Sequence, residues 1–145
     1  MSILRATSNE LDDLAELFDL YRVFYEQKSD LPGARAFIKE RLNNEESVVF
    51  IAFEENDPIG FVQLYPTFSS VSMKRTWVLN DLYVKEIARG KGFGEKLLHK
   101  AITFAEGTGA KGVSLETDKE NVIAQSLYEK VGFIREANHF YIFQI

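Results

Sequence analysis

One hexapeptide in the second half of the chain reads Arg89-Gly90-Lys91-Gly92-Phe93-Gly94. A strand-like apolar run precedes it, and a helical pattern of apolar residues follows it. Glycine lets a backbone approach a ligand closely and adopt dihedral angles that other residues resist. The first amides of a helix have no partner within the helix and point toward an anion. The hexapeptide therefore predicts a pyrophosphate-binding turn between a strand and a helix.

Two common nucleotide-binding patterns do not fit this hexapeptide. A dinucleotide fingerprint that starts at Gly90 and Gly92 needs a third glycine where Glu95 stands. A Walker loop needs Gly-Lys followed by Ser or Thr, which is absent. The glycines alone leave one alternative open, a tight strand-to-helix turn without a ligand.

A second pattern runs from Asn121 to Phe133 and reads Asn-x-x-Ala-x-x-Leu-Tyr-x-x-x-Gly-Phe. Helical spacing places part of it on one helix face, namely Asn121, Ala124, Gln125 and Tyr128. The glycine then ends the helix. Taken alone, the pattern also fits an amphipathic helix with an asparagine cap and a core tyrosine.

Composition excludes several classes of protein. The chain has 145 residues, which predicts one domain over residues 1–145, and no cysteine, which rules out disulfides and thiolate metal sites. Neither histidine has a partner at metal-ligand spacing, so we expect no metal.

The net charge of −5 argues against nucleic-acid binding and suits either a cationic substrate or simple solubility. Without a signal-peptide pattern or a long apolar run, we expect a cytoplasmic protein that does not bind membranes.

Periodicity and turn residues predict a mixed α/β fold, a twisted and mostly antiparallel sheet with helices on both faces. The break at Leu31-Pro32-Gly33 separates two helices. Strands are predicted at 3–5, 48–53, 59–65, 75–84, 112–117 and 140–145, and helices after Asn9 and at 34–42, 93–106 and 121–130. The last strand is expected in the core, with a dimer interface or an acceptor site as alternatives.

With both motifs present, the chain resembles the GNAT superfamily of N-acetyltransferases. The segments Val78–Val84 and Arg89–Gly94 resemble that family's strand and acetyl-CoA pyrophosphate loop, and Asn121–Phe133 resembles its second cofactor motif. The specific match spans Trp77 to Phe133. The motif style is closest to the polyamine- and histone-acetylating branch, which reads Leu-Glu-Asp-Phe-Phe-Val where this chain has Leu79 to Val84.

The resemblance implies the GNAT-type fold, acetyl-CoA as cosubstrate, no metal, and a small-molecule amine as acceptor. A homodimer is common among such proteins and is expected as an option. Carried over by position, the residues implied to contact the cofactor are Leu82, Tyr83, Val84, Arg89, Gly90, Lys91, Gly92, Phe93, Gly94, Glu95, Asn121 and Tyr128. The strand residues would offer backbone groups to the pantetheine arm, and the loop amides would hold the pyrophosphate.

The implied reaction is attack of a neutral amine on a thioester. Tyr128 matches the family's tyrosine acid, because a phenol carries its proton at neutral pH and can give it to a departing thiolate. The branch's glutamate falls on Asn80, which cannot accept a proton, so Asp81 is the candidate base, directly or through water. Glu116 and the absence of any dedicated base remain alternatives.

Acceptor contacts are expected at Tyr25, Glu26 and Asn80. An aromatic and acidic wall suits a cationic amine through cation–π and charge attraction. The leading hypothesis is therefore acetyl transfer to a primary amine of a small, polyamine-like cation. Two others stay open: acetylation of protein lysines or N-termini, and a non-catalytic domain that binds or senses acyl-CoA.

Overall fold

The computed structural model describes residues 1–145. Five strands form one sheet in the order of their sequence, and four α-helices cover it. The elements are β1 (Ser2–Arg5), α1 (Leu11–Phe24), α2 (Leu31–Asn43), β2 (Val48–Glu54), β3 (Asp57–Ser69), β4 (Lys74–Val84), α3 (Phe93–Gly107), β5 (Val113–Ser114) and α4 (Val122–Val131). Every neighbouring pair is antiparallel except β4 and β5, which run parallel. The predicted mixed α/β sheet is confirmed.

The sheet has a core on each face because successive side chains of a strand point to opposite sides. Phe61 on β3 packs with Leu14 and Ile38, so α1 and α2 cover that face. Its neighbour Val62 packs with Leu97, so α3 covers the other face, and α4 packs against the same cluster. Full burial of one such leucine or phenylalanine stabilises a fold by roughly 1.5–3 kcal/mol.

The start of α2 corrects one expectation. Leu31-Pro32-Gly33 is not a break but the first turn of the helix, since the Asp30 carboxylate accepts a hydrogen bond from the Gly33 amide at 3.0 Å. Proline fits there because the first helical amides need no partner within the helix. Before α1, Thr7 caps a short 3-10 turn over Ser8–Glu10 in a capping box with Glu10, so Asn9 lies inside this turn.

The C-terminal end corrects another. The predicted strand at 140–145 does not form, and β5 is limited to Val113–Ser114 instead of 112–117. A strand needs a neighbour to satisfy its backbone groups, and the segment after α4 does not lie against β5. Its large apolar side chains are exposed instead, among them Tyr141 and Phe143.

None of the helices combines the length and the apolar character needed to cross a membrane.

Candidate active site

The turn before α3 has the backbone geometry that the sequence predicts. Gly90 and Gly92 adopt φ angles of 80° and 84°, in the left-handed region that favours glycine. A Cβ added at either position would meet no protein atom within 4 Å. The glycines are therefore required by the backbone conformation and not by crowding, and the surface above them is open to a ligand.

The amides of this turn are unused within the protein. The first hydrogen bond of α3 runs from the Lys96 amide to the Gly92 carbonyl at 3.1 Å, and every amide from Gly90 to Glu95 is without an acceptor. Such a run at the N-terminus of a long helix attracts an anion through the free N–H groups and the helix dipole. The arrangement suits the two phosphates of a pyrophosphate.

Both cations of the hexapeptide already have partners. The Arg89 Nε donates to the Val84 carbonyl at 2.9 Å, and the guanidinium lies 5.3 Å from the centre of the Phe24 ring. Lys91 forms an exposed ion pair with Glu54 at 3.2 Å. The charges of Arg89 and Lys91 therefore lie beside the turn. The free hydrogen-bond donors of the turn are its backbone amides.

Two side chains of the predicted cofactor set serve packing and pairing. Phe93 is buried in the core cluster under α3. Glu95 pairs with Lys130 at 3.0 Å, and this contact, followed by His99, lowers the pKa of its exposed carboxyl. Phe93 and Glu95 therefore contribute their backbone amides, and not their side chains, to the turn. Gly94 sits beside α4, since a Cβ there would lie 3.4 Å from Leu127.

The second half of β4 has one unpaired edge. Pairing with β5 is limited to Trp77 and Val78. Beyond that point, Leu82, Tyr83 and Val84 pair with β3 alone. Their remaining edge can pair with an extended ligand that carries amide groups, as an added strand would. The pairing between the two parallel strands thus ends at Val78 and leaves this edge of β4 free.

A bulge in β4 shapes the site next to this edge. Gln63 pairs with Asp81 and Leu64 with Leu79, so Asn80 is the extra residue without a partner on β3. Bulges bend a strand and redirect its side chains, often beside active sites. Asn80 is exposed, and its amide donates to the Asp81 carboxylate at 3.0 Å.

Asp81 is a buried carboxylate surrounded by donors. It is only 4% exposed, and the Gln63 amide donates to it at 2.7 Å. Burial raises the pKa of Asp81, while hydrogen bonds from Gln63, Tyr21 and Asn80 oppose that rise. Burial penalises the charged form. Asp81 is thus a carboxylate with increased proton affinity, as a general base needs.

Three tyrosines gather near this carboxylate. Burial is the main cause that raises the pKa of Tyr21, followed by Asp81, with smaller effects from Tyr25 and Tyr128. Burial, and then Tyr25, also raises the pKa of the half-buried Tyr128. The fold therefore brings the predicted acid Tyr128, the predicted base Asp81 and the predicted acceptor residue Tyr25 around Tyr21.

Two of these participants are not identified by the sequence alone. The spacing of α1 predicts Tyr21 as part of a core stripe, and no motif includes Gln63. Gln63 is fully buried, and its Oε1 atom has no hydrogen-bond partner. A lone amide inside the apolar run of β3 is the available signal for it, because buried polar groups need partners.

A small cleft of about 410 Å³ lies beside the tyrosines, between the end of α1 and the start of α4. Its lining carries three carboxylates and two aromatic rings, from Phe24, Tyr25, Glu26, Asp118, Glu120 and Asn121. The Asn121 side chain caps α4 by accepting from the Ala124 amide at 3.1 Å. This places Tyr25, Glu26 and Asn121 together and gives Asn121 a structural role in α4.

A larger cavity, about 1220 Å³, lies on the far side of β5. Glu116, the other candidate base, lines that cavity and not the cluster around Asp81. The residues of the phosphate turn do not line it. No group of three or more His, Asp or Glu side chains lies close enough together to hold a metal ion.

Comparison with known proteins adds independent information. The model of the Acetyltransferase (GNAT) family matches residues 14–133. An uncharacterized N-acetyltransferase of Bacillus subtilis, YhfO, is 53% identical over 133 residues, covering 92% of this chain and 89% of that protein. The crystal structure of a probable acetyltransferase superimposes with a TM-score of 0.91 at 41% identity, covering 100% of this chain and 97% of the other.

An aminoglycoside acetyltransferase from an uncultured soil metagenomic sample, solved in complex with sisomicin, is 25% identical with a TM-score of 0.82. The match covers 99% of this chain and 96% of the other. The GNAT-type fold expected from the sequence is confirmed by these likenesses.

Proposed function

This chain belongs to the Acetyltransferase (GNAT) family and is an acetyltransferase, and from that premise we propose that it transfers the acetyl group of acetyl-CoA to the amine of a small cationic molecule. Enzymes of this family use acetyl-CoA. The observation that carries the acceptor class is the cleft lined by Glu26, Asp118 and Glu120, together with Tyr25 of the tyrosine group.

The residues present fit acetyl-CoA. The free amides from Gly90 to Glu95 would hold its pyrophosphate, and the unpaired edge of Leu82–Val84 would pair with the amide groups of the pantetheine arm. When bound, the cosubstrate supplies the thioester carbonyl that the amine attacks. An amide on the open edge of β4 is also the group available to stabilise negative charge on the carbonyl oxygen.

Tyr128 is the proposed acid. Its raised pKa keeps the phenol protonated across the neutral range, so it can give a proton to the departing sulfur. The position fits this role because Tyr128 is half-buried on α4, which packs against the N-terminus of α3 through Leu127 and Gly94. The cofactor anchor and the acid are thereby held in a fixed relation.

Asp81 is the proposed base, acting through Tyr21. Asp81 is buried, whereas Tyr21 is partly exposed and interacts with the carboxylate and with the other two tyrosines. A cationic amine would give its proton to the Tyr21 oxygen as Tyr21 gives its own to Asp81. The amine becomes neutral, Tyr21 is unchanged, and Asp81 holds the proton until it returns to solvent.

The acceptor class follows from charge. The three carboxylates of the cleft attract a cation, and the rings of Phe24 and Tyr25 add a cation–π surface. The solved aminoglycoside acetyltransferase supports this choice, because its ligand sisomicin is a small molecule with several amines. A polyamine-like acceptor is the more specific form of the proposal.

We also propose a cytoplasmic location, where cell fractionation would find the activity together with acetyl-CoA.

An acceptor panel tests the proposal. Release of free thiol from acetyl-CoA would be followed with polyamines and aminoglycosides, with lysine-containing peptides, and with peptides that have free N-termini. We expect the small polycations to give the highest kcat/KM. Turnover with peptides alone would contradict the acceptor class, and tight CoA binding without turnover on any amine would favour the sensing domain.

The acidic cleft supplies a matched pair of variants for the same assay. Glu120→Gln removes one cleft carboxylate, and Glu55→Gln removes an exposed one from the β2–β3 turn. The cleft variant should raise KM for a polycation several-fold with little change in kcat, on the scale of about 1 kcal/mol per exposed charge pair. The turn variant should change neither.

A further inference from the structure

We infer that Asp19 is a positioning residue for the acceptor. Its carboxylate fixes the α1–α2 loop, residues 25–30, so that Tyr25 and Glu26 stay in the wall of the acidic cleft. This inference rests on the proposed function, because it concerns how the cleft binds a cation. It adds a role for a buried charge that lies outside the cleft and outside both sequence motifs.

Asp19 is a buried carboxylate on α1 that is bonded to the far end of the loop. The residue is only 9% exposed. The Ser29 hydroxyl donates to Oδ2 at 2.7 Å, and the Asp30 amide donates to Oδ1 at 2.8 Å. A buried charge is costly unless hydrogen bonds compensate it, and bonds to a charged group are stronger than neutral ones. Both oxygens of Asp19 therefore hold the end of the loop against α1.

The start of the loop is fixed by its backbone. The Glu26 amide donates to the Val23 carbonyl and the Gln27 amide to the Arg22 carbonyl, both at 2.9 Å, which is the Schellman pattern of a helix end. Glu26 itself has a φ angle of 64°, in the left-handed region. Glycine is the usual residue at this position, because a Cβ makes the conformation unfavourable. A glutamate here therefore strains the backbone.

The strained glutamate lies at the cleft. Strained residues persist where the surrounding structure holds them, and they are frequent at ligand-binding positions. Glu26 lines the acidic cleft, and none of the salt bridges within the chain uses its carboxylate. Tyr25 also lines the cleft, and its ring centre lies 5.0 Å from that of Tyr21. Release of the loop would displace the charge and the ring together.

The end of α2 has the same backbone motif without the cleft. Glu45 has a φ angle of 52°, and the Glu46 amide donates to the Arg41 carbonyl at 2.9 Å. Glu45 is exposed and does not line the acidic cleft. A left-handed glutamate is therefore not in itself a sign of function. The cleft and the Asp19 carboxylate distinguish Glu26 from Glu45, which makes Glu45 a matched control.

Limited digestion with trypsin tests the loop without any acceptor. The bond between Lys28 and Ser29 lies inside the loop, next to the Asp19 contact. Asp19→Asn removes the charge and one hydrogen-bond acceptor, and should speed cleavage after Lys28 about tenfold or more. Cleavage after Lys39, inside α2, reports general unfolding and should stay slow. Unchanged cleavage after Lys28 in Asp19→Asn would overturn the inference, whatever the enzyme acetylates.

Two further variants accompany the digestion. Asp12→Asn removes another α1 carboxylate, whose partner is Arg35 of α2 at 2.9 Å and not the loop. Its cleavage after Lys28 should match that of the wild type, and cleavage as fast as in Asp19→Asn would contradict a role specific to Asp19. Ser29→Ala removes one hydrogen bond and leaves α1 intact. It should speed cleavage by a smaller factor, and it decides the matter if Asp19→Asn does not fold.

Acetyl-transfer kinetics test the positioning role itself. Asp19→Asn should raise KM for a polycation about fivefold or more and change kcat by less than about twofold, because the loop would hold the acceptor and not the thioester. A variant that is merely less stable loses active enzyme, which lowers kcat at an unchanged KM. Asp12→Asn should change neither constant. A loss of kcat alone in Asp19→Asn would reduce Asp19 to a residue that only stabilises the fold.

The two left-handed glutamates complete the experiment. Glu26→Gly and Glu45→Gly both relieve backbone strain, so both should raise Tm by about 2–4 °C. Only Glu26→Gly should also raise KM for a polycation several-fold, and a rise in both variants or in neither would overturn the inference. If no small amine is acetylated while Asp19→Asn still exposes Lys28 to trypsin, the proposed function is refuted but the fixed loop is not.

Discussion

The Gln63 amide donates a hydrogen bond of 2.7 Å to the Asp81 carboxylate, and both side chains are buried between the sheet and α1. The bond stabilises the charged form of Asp81, whereas burial favours the neutral form. Because burial is the larger effect, the charged form of Asp81 lowers the stability of the fold. Both the stability of the fold and the pH dependence of turnover should reflect that balance.

Asp81→Asn should make the protein more stable at neutral pH. The folded chain holds the Asp81 proton more tightly than the unfolded chain, so the stability due to this group is present below the ordinary pKa of 3.8 and is lost as the pH rises through the raised value. We expect a gain at pH 7 on the order of 1 kcal/mol, typical of replacements of strained active-site groups. Denaturant unfolding should show that the stability gain shrinks as the pH falls toward 4. The substitution should also lower turnover, because it removes the proposed base.

Asp19→Asn is the matched control of opposite sign. Hydrogen bonds from Ser29 and from the Asp30 amide lower the pKa of Asp19, so its stabilising effect is present above the ordinary pKa and lost as the pH falls. This variant should lose stability at pH 7 and lose less at acid pH. If both variants shift stability in the same direction at pH 7, the account of Asp81 is wrong.

Gln63→Leu should move the pH dependence of turnover. Without its amide the carboxylate loses a donor that lowers its pKa, so Asp81 becomes protonated at a higher pH. The acid limb of kcat/KM against pH should therefore shift upward. The control is the same substitution combined with Asp81→Asn, which should show no limb from this group. An unshifted limb in Gln63→Leu would remove Asp81 from the role of base.

Gly92→Ala should weaken the binding of CoA. Both Gly92 and Gly109 have left-handed φ angles, 84° and 74°, and open space where a Cβ would stand. Alanine at either should cost roughly 1–2 kcal/mol of stability through backbone strain. Only Gly92 lies in the phosphate turn, so only Gly92→Ala should raise the Kd for CoA by about tenfold or more in titration calorimetry. Equal affinities in the two variants would place the cofactor elsewhere.

Much of the fold is predictable because it depends on local signals. The spacing of apolar residues predicts α1 and α3, and Asn121 marks the start of α4. The glycines of the hexapeptide predict the turn, since few other residues tolerate its dihedral angles. The arrangement of strands follows from the family resemblance more than from any pattern in β1 to β5. The assignment of residues 1–145 to a single domain stays a prediction.

The predictions that failed have a common physical cause. The sequence of a segment does not show which other segment it will pack against or pair with. The composition of residues 140–145 predicts a strand, but a strand forms only where another edge meets it. Similarly, Gln63 and Tyr21 look like core positions because their role depends on Asp81, which lies on a different element. The site residues assigned by resemblance, including Arg89 and Lys91 beside the turn, stay predictions until binding is measured.

Tyr128→Phe tests the central claim most directly, since it removes one hydroxyl from the proposed acid and keeps the ring that packs against Phe133. Tyr141→Phe, a change at an exposed tyrosine of the tail, is the matched control. The measurement is kcat for thiol release from acetyl-CoA with a saturating amine, together with the Kd for CoA. We predict that Tyr128→Phe lowers kcat by about 100-fold or more and leaves the Kd nearly unchanged, whereas an unaltered kcat would contradict the mechanism.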